Sequence, residues 1–446
     1  MKIKQVQFKK LFGYFDYSID FHDTVTIIHG PNGCGKTTML KIINAAFNKQ
    51  LDTLKSTDFQ SVQFFFSTDT SLKIERKRVC LDENNKDAGS IFYLAYTIND
   101  NNRDYVYDFF DNSDDYLMTI KKCLKGYRPL PWLERRSDDT WYDRRSGAEF
   151  TTDEVVTQYG AVIYKRYGRE LLEDEIPKEV QDVLNTIDVR LIAADRLTVS
   201  QHVERQYGED NIKIERRVNI IARDLSQKIR NAIQQYAQLS QAKDRTFPFR
   251  AIKQNTLMTV EEIKAKMIEL EAKRKEFIET GILEEEKDDI NIHELVDAIT
   301  DNDRQNLSLY TIDTAEKLDA LSSLSSSINL FRKLIDSSFN NKKIIFNKDF
   351  GFRFVTTYSN SIILPQNLSS GEQHELVMFY DLIFNTTENT LILIDEPELS
   401  LHIKWQLSYV DELIEIIKVT GFSAVLATHS PQIIHDKWNL TVSLSE

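Results

Sequence analysis

The sequence predicts an α/β fold, a phosphate-loop core on a mixed sheet that is interrupted by a short helical insertion. Three observations carry this. The run Gly30-Pro-Asn-Gly-Cys-Gly-Lys-Thr-Thr38 fits G-x-x-x-x-G-K-[ST], and it lies between the apolar run Val25 to Ile28 and the helical pattern Met39, Leu40, Ile42, Ile43. Leu391-Ile-Leu-Ile394 and Ala424-Val-Leu-Ala427 are unbroken apolar runs of the length that makes parallel strands buried on both faces. Between these ends, from about 212 to 339, apolar residues recur at three- and four-residue steps, the period of a helix face.

Taken in chain order, residues 2–9, 17–21 and 24–29 alternate as strands and lead into the phosphate loop. Gly30, Pro31, Asn32, Gly33, Cys34 and Gly35 form a turn whose backbone N–H groups can close round phosphates. Lys36 adds a cation for the β and γ groups, Thr37 offers a hydroxyl to Mg²⁺, and Thr38 completes the nucleotide-binding run. Further strands are expected at Val62–Phe66, Leu72–Arg76 and Ile91–Ile98. Residues 99–147, polar and aromatic with Pro129 and Pro131 as breakers, read as an irregular elaboration. Val189-Arg-Leu-Ile-Ala193 reads as a strand running into Ala194-Asp-Arg-Leu197.

The helical region carries three stripes: Val218 to Leu239, Val260 to Phe277, and Leu318 to Ile335. Thr259 with Glu262 makes a capping-box start for the second. The spacing implies arms of roughly 35–45 Å at 1.5 Å per residue. A hairpin, Lys343–Phe346 with Phe352–Thr357, then returns the chain to the core ahead of Leu368-Ser-Ser-Gly-Glu-Gln373. The expected division is therefore 1–201, a helical arm over 202–342, and 343–446.

Chemistry collects at the carboxyl ends of the last two buried strands, where open α/β sheets bind ligands. Asp395 would hold Mg²⁺ and Glu396 would orient and deprotonate a water attacking the γ-phosphorus, the plain alternative being two solvated acids capping a strand. His429, in Thr428-His429-Ser430, can donate to a γ-phosphate oxygen from the same edge.

Gly30–Thr38, Leu368–Gln373, Leu391–Glu396 with Pro397-Glu-Leu-Ser-Leu-His402, and Ala427-Thr-His429-Ser-Pro431 together resemble the Walker A, signature, Walker B, D-loop and H-switch motifs of ABC-type ATPases. The resemblance is to the soluble SMC, RecF and OLD branch, and it covers 1–48 and 343–435. It implies an ABC-ATPase head with ATP and Mg²⁺ as ligands. Ser369, Ser370, Gly371 and Glu372 would meet the nucleotide on the Walker A loop of a second protomer, giving a homodimer or larger homo-oligomer. It also places a Q-loop at Ala194–Leu197, where relatives often carry Gln-Arg and this chain has Asp195-Arg196.

The composition suits this reading. Of 446 residues, 41% are hydrophobic and 28% charged, ordinary values for a globular chain able to bury a large core. No apolar run approaches the ~18 residues that span a bilayer, and Met1-Lys-Ile-Lys reads as a strand rather than a leader, so a cytoplasmic protein without membrane coupling is expected. Cys34, Cys80 and Cys123 show no metal-ligand or disulfide spacing. A net charge of −13 argues against coating nucleic acid broadly. A local basic and aromatic stretch between Lys121 and Arg169 leaves direct DNA contact open, although Asp138, Asp139 and Asp143 interrupt it.

The chain's size, short arms and head-only design resemble the ATPase subunits of two-component bacterial anti-phage systems, first the PARIS type, whose partner is a TOPRIM-type nuclease, then the Septu type, whose partner is an HNH nuclease. The implied role is an ATP-dependent sensor and scaffold holding a separate effector until DNA or a phage protein triggers it. The competing reading is a RecF- or SMC-like repair ATPase stimulated by DNA.

Overall fold

A computed structural model describes residues 1–80, 90–100, 103–108, 124, 130–137, 139–163, 176–192, 198–203, 211–253, 257–284, 299–300, 303–399 and 403–444. The chain divides into two units, Met1–Ala193 with Thr387–Pro397 and Gly421–Glu446, and Ala194–Thr386 with Glu398–Thr420.

The first unit is built on a parallel five-stranded sheet in the order Asp188–Ile192, Thr390–Asp395, Ser423–Thr428, Val25–His29, Thr441–Ser443. Its central strands are apolar on both faces. Leu391 to Ile394, Ala424 to Ala427 and Val25 to Ile28 are all buried, as a covered parallel sheet requires. The helix Lys36–Phe47 packs on Asp188–Ile192 and Thr390–Asp395. Its far side meets an antiparallel six-stranded sheet, where Phe47 stands edge-on to Phe64 at 5.2 Å and to Phe66 at 6.5 Å. That sandwiching explains why Met39, Leu40, Ile42, Ile43, Ala45 and Ala46 are buried on more than one side of the helix.

The antiparallel sheet contains the expected strands as Ser61–Phe66, Ser71–Cys80 and Ser90–Asp100. Part of 99–147 is more regular than its composition suggests. Arg103–Tyr107 adds an edge strand, and Leu133–Arg135, Thr140–Asp143 and Glu149–Thr151 form a separate three-stranded sheet. Leu130, Leu133, Trp141, Val155, Val156 and Ile163 give that sheet and the helix Thr152–Ile163 a small core of their own. Strands of three and four residues are too short to show alternation, so the sequence hid them.

In the second unit the helices Arg217–Lys253, Val260–Glu279 and Arg304–Ser338 form the arm. The first has 37 residues, about 55 Å, and is longer than its apolar stripe because it continues past Leu239 through Pro248. Asp313, 3% exposed, takes both guanidinium nitrogens of Arg250 at 2.6 Å and Lys243 at 3.4 Å, tying the first helix to the third. Burial alone would raise the Asp313 carboxyl, but these cations outweigh it and hold it below the usual carboxylate range. The Val260–Phe277 stripe is internal: Ile263, Met267, Leu270 and Phe277 are all buried. Thr259 and Glu262 make the expected capping box. At the other end Phe331 gathers Phe346, Phe352, Tyr380 and Phe384 at 5.6–6.2 Å between ring centres, joining arm, hairpin and the helix Ser370–Phe384. Gly351 turns the hairpin with φ +72, where a Cβ would lie 1.8 Å from the Ala222 carbonyl oxygen, so only glycine fits.

Glu375 is the exception in this core. It is 1% exposed and neither carboxylate oxygen has a hydrogen-bond partner. Burial pushes its pKa up most, Ser338 opposes this, and the charges of Glu412 and Glu372 add to the rise, leaving it at about 8. Glu375 therefore holds its proton more tightly when folded than its ordinary value of 4.5 allows. The stability is intact below that value and is lost as pH rises through about 8. Glu375→Gln should unfold at higher denaturant than wild type at pH 9, by on the order of 4 kcal/mol, with the difference shrinking towards pH 5. A pH-independent difference in denaturation midpoints would refute the buried neutral acid.

Candidate functional site

The register of the parallel sheet sets the site. Asp395 lies beside Ala427, and Thr428 beside His29, so three adjacent strands end together and release Gly30, Glu396 and His429 at one edge. Glu396 leaves its strand at φ 46, its N–H held by the Ala427 carbonyl at 2.9 Å. A left-handed glutamate costs on the order of 1 kcal/mol. The strain turns its side chain off the strand path at the edge where the loop and His429 lie.

Gly35, at φ +92, caps the helix that Lys36 begins. A Cβ there would come within 2.8 Å of Leu11 and 3.1 Å of Phe12, so the loop closes against the hairpin before it only because the position is glycine. The first-turn amides of that helix lack intrahelical partners and, with the helix dipole, favour an anion.

Lys36 is 4% exposed, yet its ammonium is fully partnered: it donates to Gly30 O and Pro31 O at 3.0 Å each and faces His429 Nδ1 at 3.2 Å. With Cys34 Sγ at 3.7 Å, four acceptors surround its three protons. Because the ammonium can only donate, His429 Nδ1 is the acceptor and Nε2 carries the hydrogen. That nitrogen faces Glu396 Oε1 at 3.9 Å. The Thr37 hydroxyl donates to Asp395 Oδ1 at 3.0 Å. Lys36, Thr37, Asp395, Glu396 and His429 thus lie in one cluster.

The signature run belongs to the second unit. Ser369 is the N-cap of the helix Ser370–Phe384: its hydroxyl accepts from Glu372 N at 3.3 Å, and the Glu372 carboxylate accepts from Ser369 N at 3.0 Å. This capping box was written in the sequence as Ser-x-x-Glu, although the sequence reading assigned those residues to nucleotide alone. Burial acts to raise the Glu372 carboxyl, but Lys342 and the Ser369 N–H and hydroxyl prevail and hold it below the usual range. Gln373, buried, donates to Leu368 O at 2.7 Å and orders the approach to the cap. Ser369 and Ser370 remain exposed and Gly371 half-buried.

Asp195, Arg196 and Ser400 to His402 lie outside the described residues, as do Lys121, Lys122, Lys125, Arg128, Lys165, Arg166 and Arg169 of the basic stretch. The described arginines of that stretch are already engaged. Arg136 pairs with Glu149 and Arg144 with Glu134, each at 3.1 Å, while Arg136 lies over Tyr142 and Arg145 over Trp132. Burial acts to raise the Asp143 carboxyl, but Tyr159 and Arg145 hold it at about 2. Here the chain stacks its own cations on its own rings, which weakens the case for a nucleic-acid face. The sequence reading missed Tyr17, whose hydroxyl donates to the Cys34 carbonyl of the phosphate loop at 3.1 Å. Alternation marked it as a strand residue, but no sequence pattern links it to the loop.

The sequence family described as the AAA ATPase domain matches residues 1–434. This chain belongs to that family. It is an ATPase, and nucleotide binding follows from membership. Among solved structures, the ATPase is similar to the Smc head domain with an extended coiled coil bound to the C-terminal domain of ScpA from Pyrococcus furiosus. The TM-score is 0.32 at 11% identity, over 97% of this chain and 90% of that one. A second, the SmcHead bound to the C-winged helix domain of ScpA, gives 0.34 at 9% identity, over 100% and 94%. These superpositions are too loose to bear on fold or function. No curated protein matches the ATPase. Its donor set fits nucleotide and Mg²⁺: Thr37 and Asp395 pair two oxygens suited to a hard cation, beside a lysine and helix-terminal amides suited to phosphates. Among the described residues, no helix is long and apolar enough to cross a membrane.

Proposed function

We propose that this ATPase works as an ABC-type head in which Lys36, His429 and Glu396 handle the terminal phosphate and its attacking water. The observation that carries this is the line from Lys36 Nζ through the His429 ring to Glu396 Oε1, beside the Thr37–Asp395 pair. ATP with Mg²⁺ supplies the reactive phosphoryl group and its charge neutralisation. Thr37 Oγ1 and Asp395 Oδ1 would hold the cation, and Lys36 would exchange the Gly30 and Pro31 carbonyls for phosphate oxygens. His429 presents Nε2–H to a γ-phosphate oxygen. Glu396 accepts the water's proton, and half exposure keeps it reachable. Glu396→Gln should retain nucleotide binding while turnover falls about 10²-fold or more, and Lys36→Ala should lose binding itself. Wild-type turnover by Glu396→Gln would remove Glu396 as the base.

The finer reading is that the site is completed in trans, with Ser369, Ser370, Gly371 and Glu372 of one protomer on the nucleotide of another. The support is chemical: the exposed, capped N-terminus of a 15-residue helix is a phosphate-binding end, and Lys342 offsets the negative charge of Glu372 there. A mixture of Lys36→Ala with Ser369→Arg protein should regain part of the activity that each lacks, because one intact composite site forms per heterodimer. No recovery, with heterodimers demonstrated, would show that the site is not shared.

We further propose that the arm, within 202–342, holds a separate effector, a nuclease, in an anti-phage role, with head closure governing release. The docking side chains would be Phe249, Ile252 and Leu257, which are 52–82% exposed, whereas the apolar residues of the Val260–Phe277 stripe are packed inside. The Arg250–Asp313 pair and the Gln305 to Ala251 O bond tie the end of the helix that carries Phe249 and Ile252 to the third helix. Phe249→Ser with Ile252→Ser should abolish co-purification of the protein encoded beside this one and leave ATP turnover within twofold. Undiminished co-purification would make the arm merely structural, and strong stimulation of turnover by DNA would favour the repair reading.

A further inference from the structure

The hairpin that precedes the phosphate loop does more than complete a sheet edge. Its two strands, Ile3–Leu11 and Phe15–Asp20, are joined by a turn in which Gly13 N donates to Lys10 O at 2.9 Å, and Phe12 N is tied to Asp58 O at 2.8 Å. The turn is therefore fixed to the body of its own unit. Leu11 and Phe12 lie where a Cβ on Gly35 would be, filling the space under the loop. From the second strand, Tyr17 stacks on Phe15 with ring centres 5.4 Å apart, and its ring packs against the main core. With the ring so held, the hydroxyl is aimed at one acceptor in the loop, the carbonyl oxygen of Cys34, at 3.1 Å.

We propose that Tyr17 is a positioning residue of the nucleotide site, pinning the Cys34–Gly35 peptide so that the Gly35 N–H is presented to phosphate. The peptide is trans, as are all described, so its C=O and N–H point in opposite directions. Holding the carbonyl towards Tyr17 turns the amide the other way. At Gly35 this control matters more than elsewhere in the loop. A glycine at φ +92 has no side chain to resist rotation of its peptide, and that rotation would replace a phosphate-facing donor with a phosphate-facing carbonyl. The neighbouring loop carbonyls of Gly30 and Pro31 already face the ammonium of Lys36, so a third inward carbonyl would compete with phosphate for the same cation. The Tyr17 bond thus separates two states of the loop, one that donates to an anion and one that repels it.

This inference rests on the reading of Gly30–Thr38 as the phosphate site, and the experiment separates the two. Binding of ATP and of inorganic triphosphate is measured for wild type, Tyr17→Phe and Lys36→Ala. Tyr17→Phe keeps the ring and loses only the hydroxyl. It should weaken both ligands about 5- to 10-fold, the effect of one modest hydrogen bond, and leave kcat at saturating ATP within twofold. A loss for ATP alone would place the effect on base or ribose and overturn the proposal, as would unchanged affinity for both ligands while Lys36→Ala binds neither. Retention of both ligands by Lys36→Ala would instead overturn the phosphate-site reading itself. Thermal unfolding of the ligand-free proteins accompanies the titrations, which are run below the lower midpoint so that a general loss of stability does not enter the comparison.

Discussion

Everything chemical in this protein depends on the in-register pairing of three parallel strands. Val25–His29, Ser423–Thr428 and Thr390–Asp395 are hydrogen-bonded side by side with their carboxyl ends level. Shifting the register by one residue would do more than displace the ends. It would turn every side chain to the opposite face of its strand and separate Asp395 from Thr37. Burial on both faces fixes that register, since Ile27, Leu393 and Leu426 have no solvent side to slip towards. The polar cluster is therefore positioned by the apolar packing behind it.

Around that edge the chain places groups whose needs are satisfied by one another in the structure as described. Lys36 has the Gly30 and Pro31 carbonyls, Cys34 and His429 as acceptors, Thr37 has Asp395, and His429 is oriented by the lysine so that its hydrogen faces Glu396. A buried ammonium without partners would be costly, and the loop carbonyls remove that cost. The strained backbone at Glu396 belongs to the same economy of the site, because an unstrained strand continuation would carry the carboxylate away from the cluster.

The second unit follows different physics. Its helices are held by long-range aromatic packing at Phe331 and by the buried Arg250–Asp313 pair, and its strongest anomaly is the unpartnered Glu375 within the helix that Ser369 caps. A neutral acid inside that helix couples its stability to pH, whereas the cap at its start is held by the reciprocal Ser369–Glu372 hydrogen bonds and by Lys342. Both features lie on one element, the helix Ser370–Phe384.

The sequence by itself determined the phosphate loop, the two acidic residues at a strand end, the histidine at the next, and the capping box at Thr259, because each is local: short runs with fixed turn chemistry or a fixed period. It also supplied the Ser-x-x-Glu cap at Ser369, in plain view. Only the tertiary structure decided which groups meet. The Lys36–His429 contact spans 393 positions and the Thr37–Asp395 bond 358, separations over which no periodicity carries information. The same holds for the small sheet at 133–151, whose strands are too short to alternate visibly, and for Glu375, whose unusual proton comes from its surroundings. Tyr17 shows the division within a single residue: its strand is legible from alternation, but its hydrogen bond to the loop exists only because the fold brings the hairpin over Gly35.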